Sequence, residues 1–447
     1  MVERIDADED TAVLLCLTPS GKDYIISSVD AEWIEAKTSS NELYSGLTIL
    51  DLPDNSLINL ETQTIELEAP PVLVNNESTI RHRGRKLTAV IGVKTILAVR
   101  VIAANAETSP SEAQLASDIF GGDGLDFVNV RSQYLACSHG KLDFQKATGR
   151  SGLSTSIYNG VVTVQVDKAT SVGARNMVNA VNDELTRQFN THPSNLASYV
   201  MYFLPAGTFG GFAYAYMNGY RSIFNDRFAY AVSIQMHELG HNLGLGHSGH
   251  GGDKYGDQSG LMGYSYGNDE APKMCFNAAK SWQLGWYADK TGSATPSGKF
   301  QFAGRLGSIV DYPTTNTRVL IEIKESTSEW AYYLNYNAAK GFNIGTAEGR
   351  NSVLITKKHT GSPGHQSLLL SILQNGGSYS IPDFNGKPGE TLKVEVHAMT
   401  ADEAYISVKL DGSPTRAPSS SPSNSPSKAP SGKFDVLRPN PAHMIKC

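Results

Sequence analysis

Apolar positions along this chain keep two different periods, and the switches between them outline its elements. Residues 11–18 and 62–67 have strand-like composition and are separated by polar, turn-rich stretches. From residue 87 strands and helices alternate. Residues 95–103 are a near-continuous apolar run, as in a buried strand. Ser109, Pro110 and Glu112 then offer an N-cap, a proline at the first helical position and a capping-box glutamate for a helix ending at Phe120. Residues 161–166 read as a strand. Residues 172–189 read as a long helix with Ala174, Met177, Val178, Val181 and Leu185 on one face. The apolar run 199–204 is a further strand, stopped by Pro205, and Phe212, Tyr214 and Tyr216 alternate with alanines as in a half-buried strand. A helix follows, with Asp226 as its expected N-cap and Val232, Met236, Leu239 and Leu243 as its apolar stripe. Another helix is expected over 278–286. Beyond residue 290 the runs 318–323, 353–355, 367–373 and 392–397, parted by Gly-, Pro- and Asn-rich turns, suggest a β-sandwich.

These changes divide the 447 residues into an N-terminal β-rich segment (1–86), an α/β (α+β) domain (87–290), a β-rich domain (291–412) and a Ser/Pro-rich tail (413–447). The tail has almost nothing to bury and suits a linker or stalk. The formal net charge of −6, without a large basic patch, argues against a nucleic-acid partner. The most apolar window, 87–104, is interrupted by Lys94 and Arg100, so no transmembrane helix is expected. The first residues are acidic where a signal peptide would be basic and then apolar, which suits either a cytosolic protein or a start lying further upstream.

The chemistry concentrates in residues 235–247, QMHELGHNLGLGH, which fit HExxHxxGxxH. Residues four apart share a helix face, so His237 and His241 can aim at one point. Gly244 lets the chain leave the helix and turn, which would return His247 as a third nitrogen ligand. Three histidines leave one tetrahedral position open, the arrangement of a catalytic zinc site. Glu238, beside a ligand but pointing elsewhere, suits a general base acting on water. Met262 stands 15 positions past His247, in Gly-Leu-Met-Gly-Tyr, where a tight turn can place a thioether beneath the ligands.

The extended motif and this methionine turn resemble the metzincin clan of zinc endopeptidases. Within it, MHELGHNLGLGHSG, YGDQSGLMGYSY and KMCFNAAKSWQLGWY resemble the gametolysin family, secreted enzymes that digest cell walls and extracellular matrix. The likeness is strongest over 195–290 and weaker back to Leu87 and forward to Leu410. It implies a twisted mixed sheet followed by the zinc helix and Met-turn, with an antiparallel edge strand near residues 212–216 above the cleft. It implies one catalytic zinc, a protein or glycoprotein substrate, a monomer, and export, with the true N-terminus upstream. Calcium is left undecided. Tyr264, two residues after Met262, matches a tyrosine that assists the oxyanion in astacin-like and serralysin-like members; a packed core tyrosine is the other reading. Cys137 and Cys275 lie in family-like segments and would form a disulfide in an exported protein, or else remain two buried thiols.

Arg81, Arg83, Arg85 and Lys86 form either a solvated charge run or a processing site, Arg85–Lys86, releasing an inhibitory propeptide. In that case a Cys16 thiolate could cap the metal. Asn76 begins the sole glycosylation sequon. His250, Asp253 and Asp257 sit in a glycine-rich loop, where a second metal is conceivable but idle polar residues are usual. Alternatives to the gametolysin-like peptidase are a matrixin-type collagenase, disfavoured because no PRCGxPD segment occurs, and a catalytically silent adhesion protein of the same fold.

Overall fold

The computed structural model describes residues 2–6, 12–17, 23–40, 42–43, 48–53, 55–60, 62–75, 89–122, 126–263, 268–361 and 364–411. Asn76, Arg85, Lys86, Tyr264 and the Ser/Pro-rich tail lie outside the described residues.

The central sheet is built on strand Gly92–Ile102, whose middle is fully buried. Leu142–Lys146 and Val161–Gln165 pair in parallel with its first and second halves, and Tyr199–Leu204 runs parallel to it on the other side. Arg221–Asn225 continues the parallel order, and Ala213–Ala215 closes that edge antiparallel to it. The sheet is thus mixed, with the antiparallel strand at one edge.

Alternation along these strands sorts side chains to two faces. Leu97, Val99, Val101, Val200, Tyr202 and Ile223 join Met177, Val178, Val181 and Leu185 of helix Gly173–Phe189 in one core. Ile96, Ala98, Met201, Phe203 and Phe224 face the other way, onto Ile234, Met236 and Leu239 of helix Val232–Asn242. The apolar face expected of the long helix is therefore the face it buries.

Two helix starts differ from expectation, for one shared reason. Helix Glu112–Phe120 is capped by Ser111, which accepts from Gln114 N. Ser109 instead donates through its backbone N and hydroxyl to the carboxylate of Asp226. Asp226, so engaged, opens a separate 3-10 turn, Asp226–Phe228, and the helix that follows begins only at Val232. A tertiary bond between the two candidate caps replaced two local ones.

Residues 2–75 form a five-stranded sheet and a two-stranded ladder around Leu14, Cys16, Ile34, Leu50 and Ile65, with helix Ala31–Ser39 capped by Asp30. Cys16 is 1% exposed and disulfide-bonded, so it offers no thiolate to a metal.

Past residue 290, a six-stranded and a four-stranded sheet enclose one core that includes Leu334, Tyr336, Ile355, Leu392, Val394 and Ile406. The six-stranded sheet takes Ser248–His250 as its edge strand, parallel to Ser367–Leu373. Ile309, Leu320 and Tyr333 belong to the same core as the helix Val232–Asn242, so packing is continuous across residue 290. No described helix is long and apolar enough to cross a membrane.

Candidate metal centre

Every residue of helix Val232–Asn242 is buried. It is anchored from several sides: Tyr134 Oη donates to Met236 O (2.8 Å), and Asn242 Nδ2 donates to Arg221 O (2.7 Å) and Tyr216 O (3.0 Å). Its end has a two-bond reversal, with Gly244 N on His241 O (2.8 Å) and Leu245 N on Gly240 O (2.9 Å). Gly244 has φ +86°, the left-handed conformation such an ending requires. The chain doubles back, and His247 arrives beside the helix.

His237, His241 and His247 come together, each offering a nitrogen within 4.8 Å of the others. His237 Nδ1 lies 2.7 Å from Leu261 O, and His241 Nδ1 lies 2.8 Å from Leu245 O. A carbonyl only accepts, so both Nδ1 atoms carry the proton and both Nε2 atoms keep their lone pairs. Burial, reinforced by neighbouring His241, pushes His237 down to about 3 and holds His247 well below the ordinary imidazole value. At neutral pH both rings are therefore uncharged. Three clustered imidazoles, His237 and His247 held neutral and His237 and His241 fixed in tautomer by a carbonyl, suit a borderline ion such as zinc.

Met262, fully buried, lies directly beneath the helix. A Cβ on Gly240 would stand 2.5 Å from Met262 Sδ, so glycine at 240 is what allows the thioether to approach. Leu261 N donates to Cys275 O, and Ser248 N donates to Met262 O, which ties this turn to the loop that carries His247. Glu238 sits one residue past His237 and is 6% exposed. Cys137 and Cys275, buried behind the turn, form a disulfide.

Several contributors escaped the sequence reading. The Tyr255 ring lies 4.3 Å from that of His247 and 6.3 Å from that of His237. Asn277 Nδ2 donates to Asp257 Oδ2 (2.8 Å), Ser248 Oγ (3.1 Å) and Ser367 Oγ (3.0 Å), while its Oδ1 caps helix Ala278–Leu284 at Lys280 N. Asp257 is thereby absorbed into a buried clamp on the loop after His247; burial raises its pKa against the hydrogen bonds of Ser259 and Asn277. Lys280, also fully buried, donates to His365 O at 3.0 Å and adds to the depression of His237 and His247. His250 instead pairs with Glu348 at 3.2 Å, and Asp253 accepts from Tyr255 N. The segment YGDQSGLMGYSY contained Tyr255 and Asp257, but nothing in its pattern showed that they turn inward.

No curated protein matches the chain. The family described as gametolysin peptidase M11 matches residues 100–346, more than half of the sequence, with His237, Glu238, His241, His247 and Met262 inside the match. The chain belongs to the gametolysin peptidase family.

Proposed function

We propose that the protein is a zinc-dependent endopeptidase with His237, His241 and His247 as ligands. The observation that carries this reading is the convergence of three buried imidazoles, those of His237 and His247 held uncharged, inside the region that matches a peptidase family. When bound, zinc supplies Lewis acidity toward the scissile carbonyl and toward water.

The remaining work falls to the chain. Glu238 takes the proton of the attacking water and passes it to the leaving amine. Leu261 O and Leu245 O hold two imidazoles in the ligating tautomer. Met262 sets the floor without handling protons, and Tyr264 is assigned to the oxyanion by its resemblance alone. The antiparallel edge strand Ala213–Ala215 suits an extended substrate that adds its own backbone hydrogen bonds.

The substrates are extracellular-matrix or cell-wall glycoproteins, by resemblance to the family, and the chain acts as a monomer outside the cell. The buried Cys137–Cys275 bridge supports an oxidising compartment. The two sheets past residue 290 read as a β-sandwich that supports the ligand loop, and residues 1–86 as a segment cut from the enzyme near Arg85–Lys86. Hydrolysis of a denatured generic protein, measured before chelation, after it, and after zinc is restored, tests the reading. Activity lost and regained is expected; hydrolysis indifferent to chelation overturns it.

A further inference from the structure

Residues 2–75 meet the central sheet on the face opposite the histidine helix. Leu15 belongs to the core of helix Gly173–Phe189, with Val13 and Ile25 packed against it. Strand Val2–Asp6 lies beside the edge strand Ala213–Ala215. Arg175 donates to Thr62 O (2.6 Å) and Gln63 O (3.0 Å), and Asn179 donates to Gln63 Oε1 (2.8 Å). At the centre of the contact, Arg221 Nη1 lies 2.6 Å from Asp23 Oδ2, with the two side chains 0% and 1% exposed. The same guanidinium lies over the Tyr216 ring at 3.8 Å and the Tyr220 ring at 5.4 Å.

Here separation has to break a desolvated ion pair, three side-chain hydrogen bonds and an apolar seam. Removing one partner from such a buried pair is far more disruptive than losing a surface bridge. The contact also reaches the metal centre: Arg221 O accepts from Asn242, the residue after His241.

We propose that residues 2–75 are a retained subunit of the enzyme, latched by Asp23 to Arg221 independently of the disulfide that Cys16 makes, and that a cut within 81–86 severs the linker without releasing them. The latch stands independently of whether the histidines bind zinc, because its test reads association and not hydrolysis.

In the test, Cys16 is replaced by serine in every protein compared, so that its disulfide cannot hold the fragments together, and residues 81–86 of the full chain are replaced by the recognition sequence of a site-specific protease. The chain is cut after folding and run on gel filtration, with fragment masses determined. The wild-type fragments are expected in one peak at micromolar concentration. They should stay together in 1 M salt, because a buried pair is little screened. In Asp23→Asn, which keeps shape and removes charge, and in Asp23→Ala, the N-terminal fragment should dissociate at concentrations ~100-fold higher than in wild type. Arg175→Ala should weaken retention less, since its bonds are partly exposed. Separation of wild-type fragments in plain buffer, or at 1 M salt, overturns the proposal, as does retention in Asp23→Asn equal to wild type. If Asp23→Ala does not fold, Asp23→Asn and the salt series decide.

Discussion

Asn277 offers a demanding prediction because one amide serves two structures. Its Oδ1 caps helix Ala278–Leu284, and its Nδ2 serves Asp257, Ser248 and Ser367, all fully or almost fully buried. Asn277→Ala loses a cap, costing about 1 kcal/mol. It also takes the Asn277 donor from the buried Asp257 Oδ2, while Ser259 still serves Oδ1, costing about 1.5–3 kcal/mol, with a smaller cost for the serine hydroxyls. The sum, about 3–5 kcal/mol, should lower the melting temperature of the site lobe by roughly 6–15 °C. The pH dependence is the more specific sign. The folded pKa of Asp257 is already raised by burial, against the opposing bond from Asn277. A carboxyl with a raised folded pKa favours the fold most below its unfolded value and loses that contribution as pH rises through the folded value. Without Asn277 the rise is larger, so the variant's deficit should be wider at pH 7 than at pH 4. Asn277→Asp keeps the cap but sets a second carboxylate against Asp257, and should be destabilised at pH 7 and partly restored at pH 4. Thermal denaturation of the metal-free proteins at both pH values checks this. An equal deficit at both, or an Asn277→Asp protein as stable as wild type at pH 7, refutes the clamp.

Other consequences follow from the same geometry. His237 and His247 are held neutral in the fold, and a depressed folded pKa means stability present above about 6.5 and lost as pH falls toward the folded value. Metal-free protein should therefore lose stability below pH 6.5, with His237 alone contributing about 2 kcal/mol of the loss at pH 5; an Asn at position 237 should flatten the slope in pH-dependent urea melts. The Cys137–Cys275 bridge closes a separation of 138 residues, so replacing both with serine should cost about 5 kcal/mol, read as an earlier unfolding midpoint under oxidising conditions. Tyr255 packs its ring against His247. Tyr255→Leu should release metal to a competing chelator about 10-fold more readily than wild type.

The motif and its spacing revealed the histidine cluster because helical period brings His237 and His241 to one face, and because Gly244 has few uses other than the turn it makes. Strand Tyr199–Leu204 was read to the residue, since a buried apolar run ended by proline leaves little choice. The long helix was legible through its stripe. What stayed hidden depends on distant partners. Ser109 and Asp226 each look like a helix cap, and only folding shows that they bind each other instead. Asp257, Asn277 and Ser367 come from three separate segments, so no local pattern foretells their clamp. Lys280 sits on a short helix where lysine ordinarily faces water, yet it is buried with its ammonium on His365 O. The edge strand Ser248–His250 was unreadable for a similar reason: its partner lies more than a hundred residues onward.

The most direct test of the central claim compares wild type with Glu238→Ala in proteolysis of a denatured protein, with the zinc content of each determined. One zinc in both proteins, with hydrolysis by wild type alone, is the predicted result: the histidines hold the metal and Glu238 moves the proton. A Glu238→Ala protein that holds its zinc and cleaves as fast as wild type would contradict the account.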